Sequence, residues 1–74
     1  MKIYGYLDGS ASRERPLALS EVTISARADE VRAIAKWLTD LAGEMESGAF
    51  DHVHLADRID SFADSPEFIV SRAD

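Results

Sequence analysis

Residues 29–47 read Asp-Glu-Val-Arg-Ala-Ile-Ala-Lys-Trp-Leu-Thr-Asp-Leu-Ala-Gly-Glu-Met-Glu-Ser, and the spacing of their apolar side chains sets the architecture. Val31, Ile34, Leu38, Leu41 and Met45 follow one another at intervals of 3, 4, 3 and 4, the period of one helix face. Ala33, Ala35 and Ala42 add helix propensity. Asp29 and Glu30 stand in the first turn, at the positive end of the helix dipole. Gly48 suits the left-handed position that ends a helix. The start is less well provided, because Ala28 carries no acceptor for the first amides. Gly43 costs up to about 1 kcal/mol relative to alanine inside the helix, unless it marks a close backbone contact. Trp37, beside Leu38, is expected to finish the edge of the core; the alternative is an exposed anchor for a partner.

The flanking segments alternate with the period of strands. In residues 2–8, Ile3, Gly5 and Leu7 share one face and Tyr4 and Tyr6 the other. Asp8-Gly9-Ser10 is a turn signal, and residues 9–16 form a polar hairpin loop ending in Pro16. A second strand is expected over 17–26, with Val22, Ile24 and Ala26 inward and Glu21, Thr23 and Ser25 outward. A third strand, 49–56, contains Phe50-Asp51-His52-Val53-His54-Leu55. Its period places His52 and His54 on one face and Val53 and Leu55 on the other. Residues 57–66 connect it to a fourth strand at 67–71, and Ile59 and Phe62 are spaced for one helical turn over the sheet end.

The expected fold is α+β in the order β-β-α-β-β, a single domain over residues 1–74. One long helix covers one face of a four-stranded, largely antiparallel sheet. The core then comprises Ile3, Leu7, Val22, Ile24, Val31, Ile34, Leu38, Leu41, Met45, Val53, Leu55 and part of strand four. The opposite face carries Tyr4, Tyr6, Thr23, Ser25, His52 and His54, with either Ile69 or the pair Phe68 and Val70. Such a tyrosine-rich face is a candidate interface, because tyrosine gives contact area at low entropic cost.

Composition narrows the function. A chain of 74 residues with no cysteine has neither a disulfide framework nor a thiolate zinc site, which favours the cytoplasm. No apolar run approaches the roughly 20 residues of a membrane span, and Gly5, Tyr6 and Asp8 interrupt any signal-like segment at the start. The net charge of −6 is uneven: residues 1–39 carry six Lys/Arg and five Asp/Glu, and residues 40–74 carry two against nine. An acidic half argues against nucleic-acid binding, which needs a basic footprint. It suits a basic protein partner, or solubility alone.

Chemistry fares less well. His52 and His54 supply two zinc ligands where about four are needed, and the chain has no third histidine. Asp51 points to the other strand face by alternation; Asp8 or Glu21 are the remaining donors to consider. The chain holds neither a Gly-x-Ser-x-Gly elbow nor a glycine-rich phosphate loop. A second His-x-His motif, needed for a two-histidine phosphoesterase site, is missing. Most aspartates fall in loops, where they serve turns. No catalytic, cofactor-binding or metal residue is therefore expected, and no cofactor. The acids Glu44, Glu46, Asp51, Asp57, Asp60 and Asp64 form a solvated face or a charge-steering surface.

Several stretches together resemble a known family. They are Glu21-Val22-Thr23-Ile24, the helix with Asp29-Glu30-Val31 and Trp37-Leu38, its end Glu44-Met45-Glu46-Ser47-Gly48, then Phe50-Asp51-His52-Val53-His54-Leu55 and Glu67-Phe68-Ile69-Val70. In these residues, from about 19 to 70, the chain is similar to the immunity protein 32 family, small bacterial proteins that protect cells from toxins of polymorphic secretion systems. The resemblance implies a non-enzymatic module that binds and blocks a cognate protein toxin. Candidate partner-binding residues are His52, His54, Tyr4, Tyr6, Asp51 and Asp57. From charge, a toxin with a basic substrate channel, such as a nuclease, fits best. The competing readings are a homodimer packed through the exposed sheet face and a small metal-binding protein using His52 and His54. No nucleic acid and no membrane are expected as partners.

Overall fold

A computed structural model describes residues 1–9, 15–48 and 50–73. The helix α1 spans Ala28–Glu46, one residue earlier than expected at each end. Arg27 occupies the N-cap, and its backbone N–H donates to Glu30 Oε1 at 2.9 Å. The missing acceptor at the helix start is thus offset by the returning half of a capping arrangement. The Arg27 guanidinium also pairs with Asp29 at 3.1 Å. At the other end Gly48 adopts φ 74° and donates to the Met45 carbonyl, the left-handed stop expected of it. A Cβ built on Gly43 meets nothing within 4 Å, so this glycine marks no close approach.

The sheet differs from expectation. The strands form two separate antiparallel pairs, β1 with β2 and β3 with β4, instead of one four-stranded sheet. Strand β1 (Ile3–Gly5) pairs with β2 (Leu17–Leu19), with Ile3 opposite Leu19 and Gly5 opposite Leu17. The loop expected at 9–16 lies partly at 10–14, and the expected start of the third strand at Ala49; both fall outside the described residues. The second strand stops well short of residue 26. Opposite Leu19 lies Ile3, where β1 begins, so Val22 and Ile24 extend past the paired region and stay about half exposed.

Strand β3 (His52–His54) pairs with β4 (Ile69–Ser71) in the register His52↔Ser71, Val53↔Val70, His54↔Ile69. After His54 the chain turns into a short helix, α2 (Leu55–Arg58), then a 3-10 turn at Asp60–Phe62. The pairing continues one step past the strand, because the Leu55 N–H donates to the Phe68 carbonyl at 2.8 Å. Phe62 is buried beside the strands, as its spacing from Ile59 implied.

The core comprises Ile34, Trp37, Leu41, Val53, Leu55 and Phe62, with Ala33, Phe50, Ile59, Phe68 and Val70 packed against it. Ile3, Leu7, Val22, Ile24, Val31, Leu38 and Met45, expected in this core, are not among its buried residues. On α1 the correction is a rotation. Trp37 is 4% exposed and Leu38 is 40% exposed, so the buried stripe runs through Ile34, Trp37 and Leu41. Both stripes satisfy helical spacing; side-chain size decides between them. An aromatic ring buries roughly 150–250 Å², about 4–6 kcal/mol at 25 cal/mol per Å². The Trp37 indole N–H finds no acceptor among the described residues, a cost of about 1–3 kcal/mol that the ring's burial exceeds. Phe68 meets the indole edge-on at a centroid distance of 5.8 Å.

Two arginines close the assembly. Arg58 of α2 makes a two-pronged pair with Glu44 of α1, at 2.8 and 3.0 Å. Arg72, just beyond β4, donates to the Met45 carbonyl at 2.8 Å and the Phe50 carbonyl at 3.4 Å. The last turn of α1 has no basic residue of its own, so Arg72 brings a cation to its negative end from across the fold.

Candidate functional site

Strand pairing gives the histidine face its geometry. Directly opposed residues share a face, so His52, Ser71, His54 and Ile69 lie together while Val53 and Val70 face the core. The two imidazole centroids stand 5.5 Å apart with planes at 60°. Each ring meets a carboxylate through Nδ1: His52 meets Asp51 Oδ2 at 3.4 Å, and His54 meets Glu67 Oε2. The histidine side chains are 55% and 33% exposed respectively. Among the described residues, no group of three or more His, Asp or Glu converges as a metal cage.

The structure divides the expected site. His52 and His54 do share a face, and Asp51, expected to point away from them, bends back to His52. Tyr4 and Tyr6 belong to the other strand pair, in β1 and just after it, because the sheet that would have set them beside the histidines does not form. Asp57 sits exposed on α2, where its charge favours the protonated guanidinium of Arg58. Of the acids expected to make one surface, Glu44 is committed to Arg58; that hydrogen bond holds its carboxyl below the usual glutamate range. Glu67 was missed as a site residue. The signal was present, since 67, 69 and 71 share a strand face by period, but only the register His54↔Ile69 places that face beside the histidines.

Two open grooves flank the core. One, of about 330 Å³, is lined by Ala33, Trp37 and Ile59 with Lys36, Asp40, Glu44 and Arg58 at its rim. The other, of about 230 Å³, separates residues 23–26 from residues 65–68. Both lie at or below the small end of ordinary ligand pockets, about 300 Å³.

Large apolar side chains are exposed mainly in the first half of the chain. Tyr4, Tyr6, Leu7, Leu17, Leu19, Val22 and Ile24 are each at least 37% exposed. On α1, Val31, Ala35, Leu38 and Ala42 form a second apolar stripe at spacings of 4, 3 and 4, and all four are exposed. Among the described residues no helix is long and apolar enough to cross a membrane.

No curated protein and no solved structure matches the chain. The sequence pattern of the immunity protein 32 family matches residues 21–73 of 74, and the chain belongs to that family.

Proposed function

We propose that this protein binds a cognate bacterial toxin and blocks it, without catalysis, in the cytoplasm. Family membership supports this reading, and the observation that carries it into the structure is the run of exposed apolar side chains from Tyr4 to Ile24. They lie on both faces of the β1–β2 pair, Tyr4 and Tyr6 on one and Leu17 and Leu19 on the other, and exposed apolar surface on this scale favours a protein contact. Tyr4 and Tyr6 lie in this region, whereas Asp51, His52, His54 and Asp57 all follow α1. The acidic second half, Asp57 included, would steer a partner with a basic surface, and the apolar region would hold it.

The test pairs this chain with the toxin encoded beside its gene. Expressed alone, the toxin arrests growth; coexpressed with this protein, it does not, and the two co-elute on gel filtration. A Leu7→Glu/Leu17→Glu variant weakens the complex at least tenfold while melting at the parent temperature, since both side chains are exposed. Unaltered rescue by that variant would sink the proposed surface, and no rescue by the parent would sink the function.

The second stripe on α1 favours one other reading, a homodimer. The spacing of Val31, Ala35, Leu38 and Ala42 is that of a helix–helix seam. Light scattering at high concentration separates the two: a monomer ends the dimer reading.

A further inference from the structure

We propose that His52 and His54 form a two-histidine site for a borderline divalent transition-metal ion of the zinc class, a site independent of toxin binding. Three observations carry it. First, the register sets both imidazoles on one strand face, opposite the uncharged Ser71 and Ile69, with the Asp51 and Glu67 carboxylates turned to Nδ1 of the rings. Second, the spacing fits. Two imidazoles sharing one tetrahedral ion at zinc–nitrogen distances of roughly 2.0–2.1 Å have centroids about 5 Å apart. The observed separation is 5.5 Å. Third, both rings are engaged by carboxylates through the same nitrogen. Nδ1–H donates to Asp51 in one case and to Glu67 in the other. That arrangement turns Nδ1 of each ring to a carboxylate and leaves Nε2 to meet a metal, the way a metal-binding histidine is normally held. Neither Nε2 has a protein partner among the described residues.

Two protein ligands make an open site. Water or an exchangeable anion completes the coordination, in keeping with the lack of a third converging His, Asp or Glu among the described residues. Imidazole nitrogen selects zinc, copper and nickel over magnesium and calcium, which prefer oxygen. Glu67 and Asp51 are positioning residues. Glu67 is the stronger, because Asp51 reaches His52 only at 3.4 Å and its side chain is 95% exposed.

Calorimetric titration of the full chain with zinc chloride tests the site. Saturable binding of one zinc per chain is expected, with magnesium giving none. His52→Ala and His54→Ala each weaken it at least tenfold. Glu67→Gln weakens it about tenfold, the low end for losing an outer partner of a ligating histidine. The metal-free melt of His52→Ala should match the parent, since that side chain is 55% exposed; His54, 33% exposed and bonded to Glu67, is judged by zinc affinity. On the parent itself, zinc should shift the imidazole nitrogen resonances of both histidines. No saturable heat up to millimolar zinc, equal binding by the His52→Ala/His54→Ala double variant, or shifts confined to other residues would each overturn the site. Parent-like affinity in Glu67→Gln would remove the positioning role.

Discussion

Residues 1–27 and residues 28–73 obey the same strand and helix periodicities and reach opposite outcomes. The second region contains every buried core residue: Ile34, Trp37, Leu41, Val53, Leu55 and Phe62. Among the described residues the first contains none, although Leu7, Leu17, Leu19, Val22 and Ile24 are no less apolar. The difference lies in what each segment finds to pack against. Val53 of β3 shares one core cluster with Ile34, Trp37 and Leu41 of α1 and with Leu55 and Phe62, and Val70 of β4 packs against it. β1 and β2 pair only with each other, and a lone two-stranded ribbon has no second layer to bury its face. The family pattern begins at residue 21, just after β2, so it leaves out the β1–β2 pair but takes in Val22 and Ile24 of the first region. Among the described residues the buried core lies in the second region, and the first keeps its large apolar side chains largely exposed.

The largest expected effect tests that division directly. Leu41 is 1% exposed, and Leu41→Ala should cost about 2–5 kcal/mol in urea unfolding. Leu17, on β2, is 49% exposed, and Leu17→Ala should stay within about 0.5 kcal/mol. Comparable losses for the two variants would mean that the β1–β2 pair is packed into the fold, and the comparison would break.

How far each region was legible follows the same physics. The limits of α1 were readable to one residue because Asp29, Glu30 and Gly48 act locally. Its buried face was not, because Trp37 and Leu38 are neighbours that both fit a helical stripe, and only the bulk of the indole against Phe68 selects one. The shared face of His52 and His54 was readable from period alone. The separation into two strand pairs was not, since alternation says which side of a strand is apolar and nothing about which edge it joins. Val22 and Ile24 show this best: their alternation is clear, and among the described residues no strand pairs with them. Arg72 at the end of α1 was beyond reach, because its bond to Met45 spans 27 residues and exists only once β4 is in place.

Arg72 gives the next effect in size. Its two bonds to helix-end and loop carbonyls are partly buried and charge-assisted. Arg72→Ala should lower stability by about 1.5–3 kcal/mol, the range for hydrogen bonds to charged groups. The urea midpoint measures it, and Arg72→Lys should recover only part, because an ammonium does not span two carbonyls as a guanidinium fork does. A loss below about 0.5 kcal/mol would place Arg72 with ordinary surface residues and reduce the second region's closure to apolar packing alone.

The smallest effect concerns the link between α1 and α2. The Arg58 guanidinium, by its hydrogen bonds and then its charge, holds the Glu44 carboxyl below its ordinary value of 4.5. A depressed folded-state value means that the unfolded chain binds the proton more readily. The pair's contribution is therefore complete above pH 4.5 and is lost as pH falls through the lower folded-state value. Asp29, lowered by its hydrogen bond to Arg27, adds a loss of the same sign at the helix start. Melting temperature should fall on acidification in the parent and fall less steeply in Arg58→Ala, where the Asp29 share remains. The two curves should converge at the acid end, because a protonated Glu44 no longer distinguishes them by charge. Parallel curves would show that the pair forms without favouring the fold. The second region would then be held by its apolar core and Arg72, and the contrast with β1–β2 would rest on burial alone.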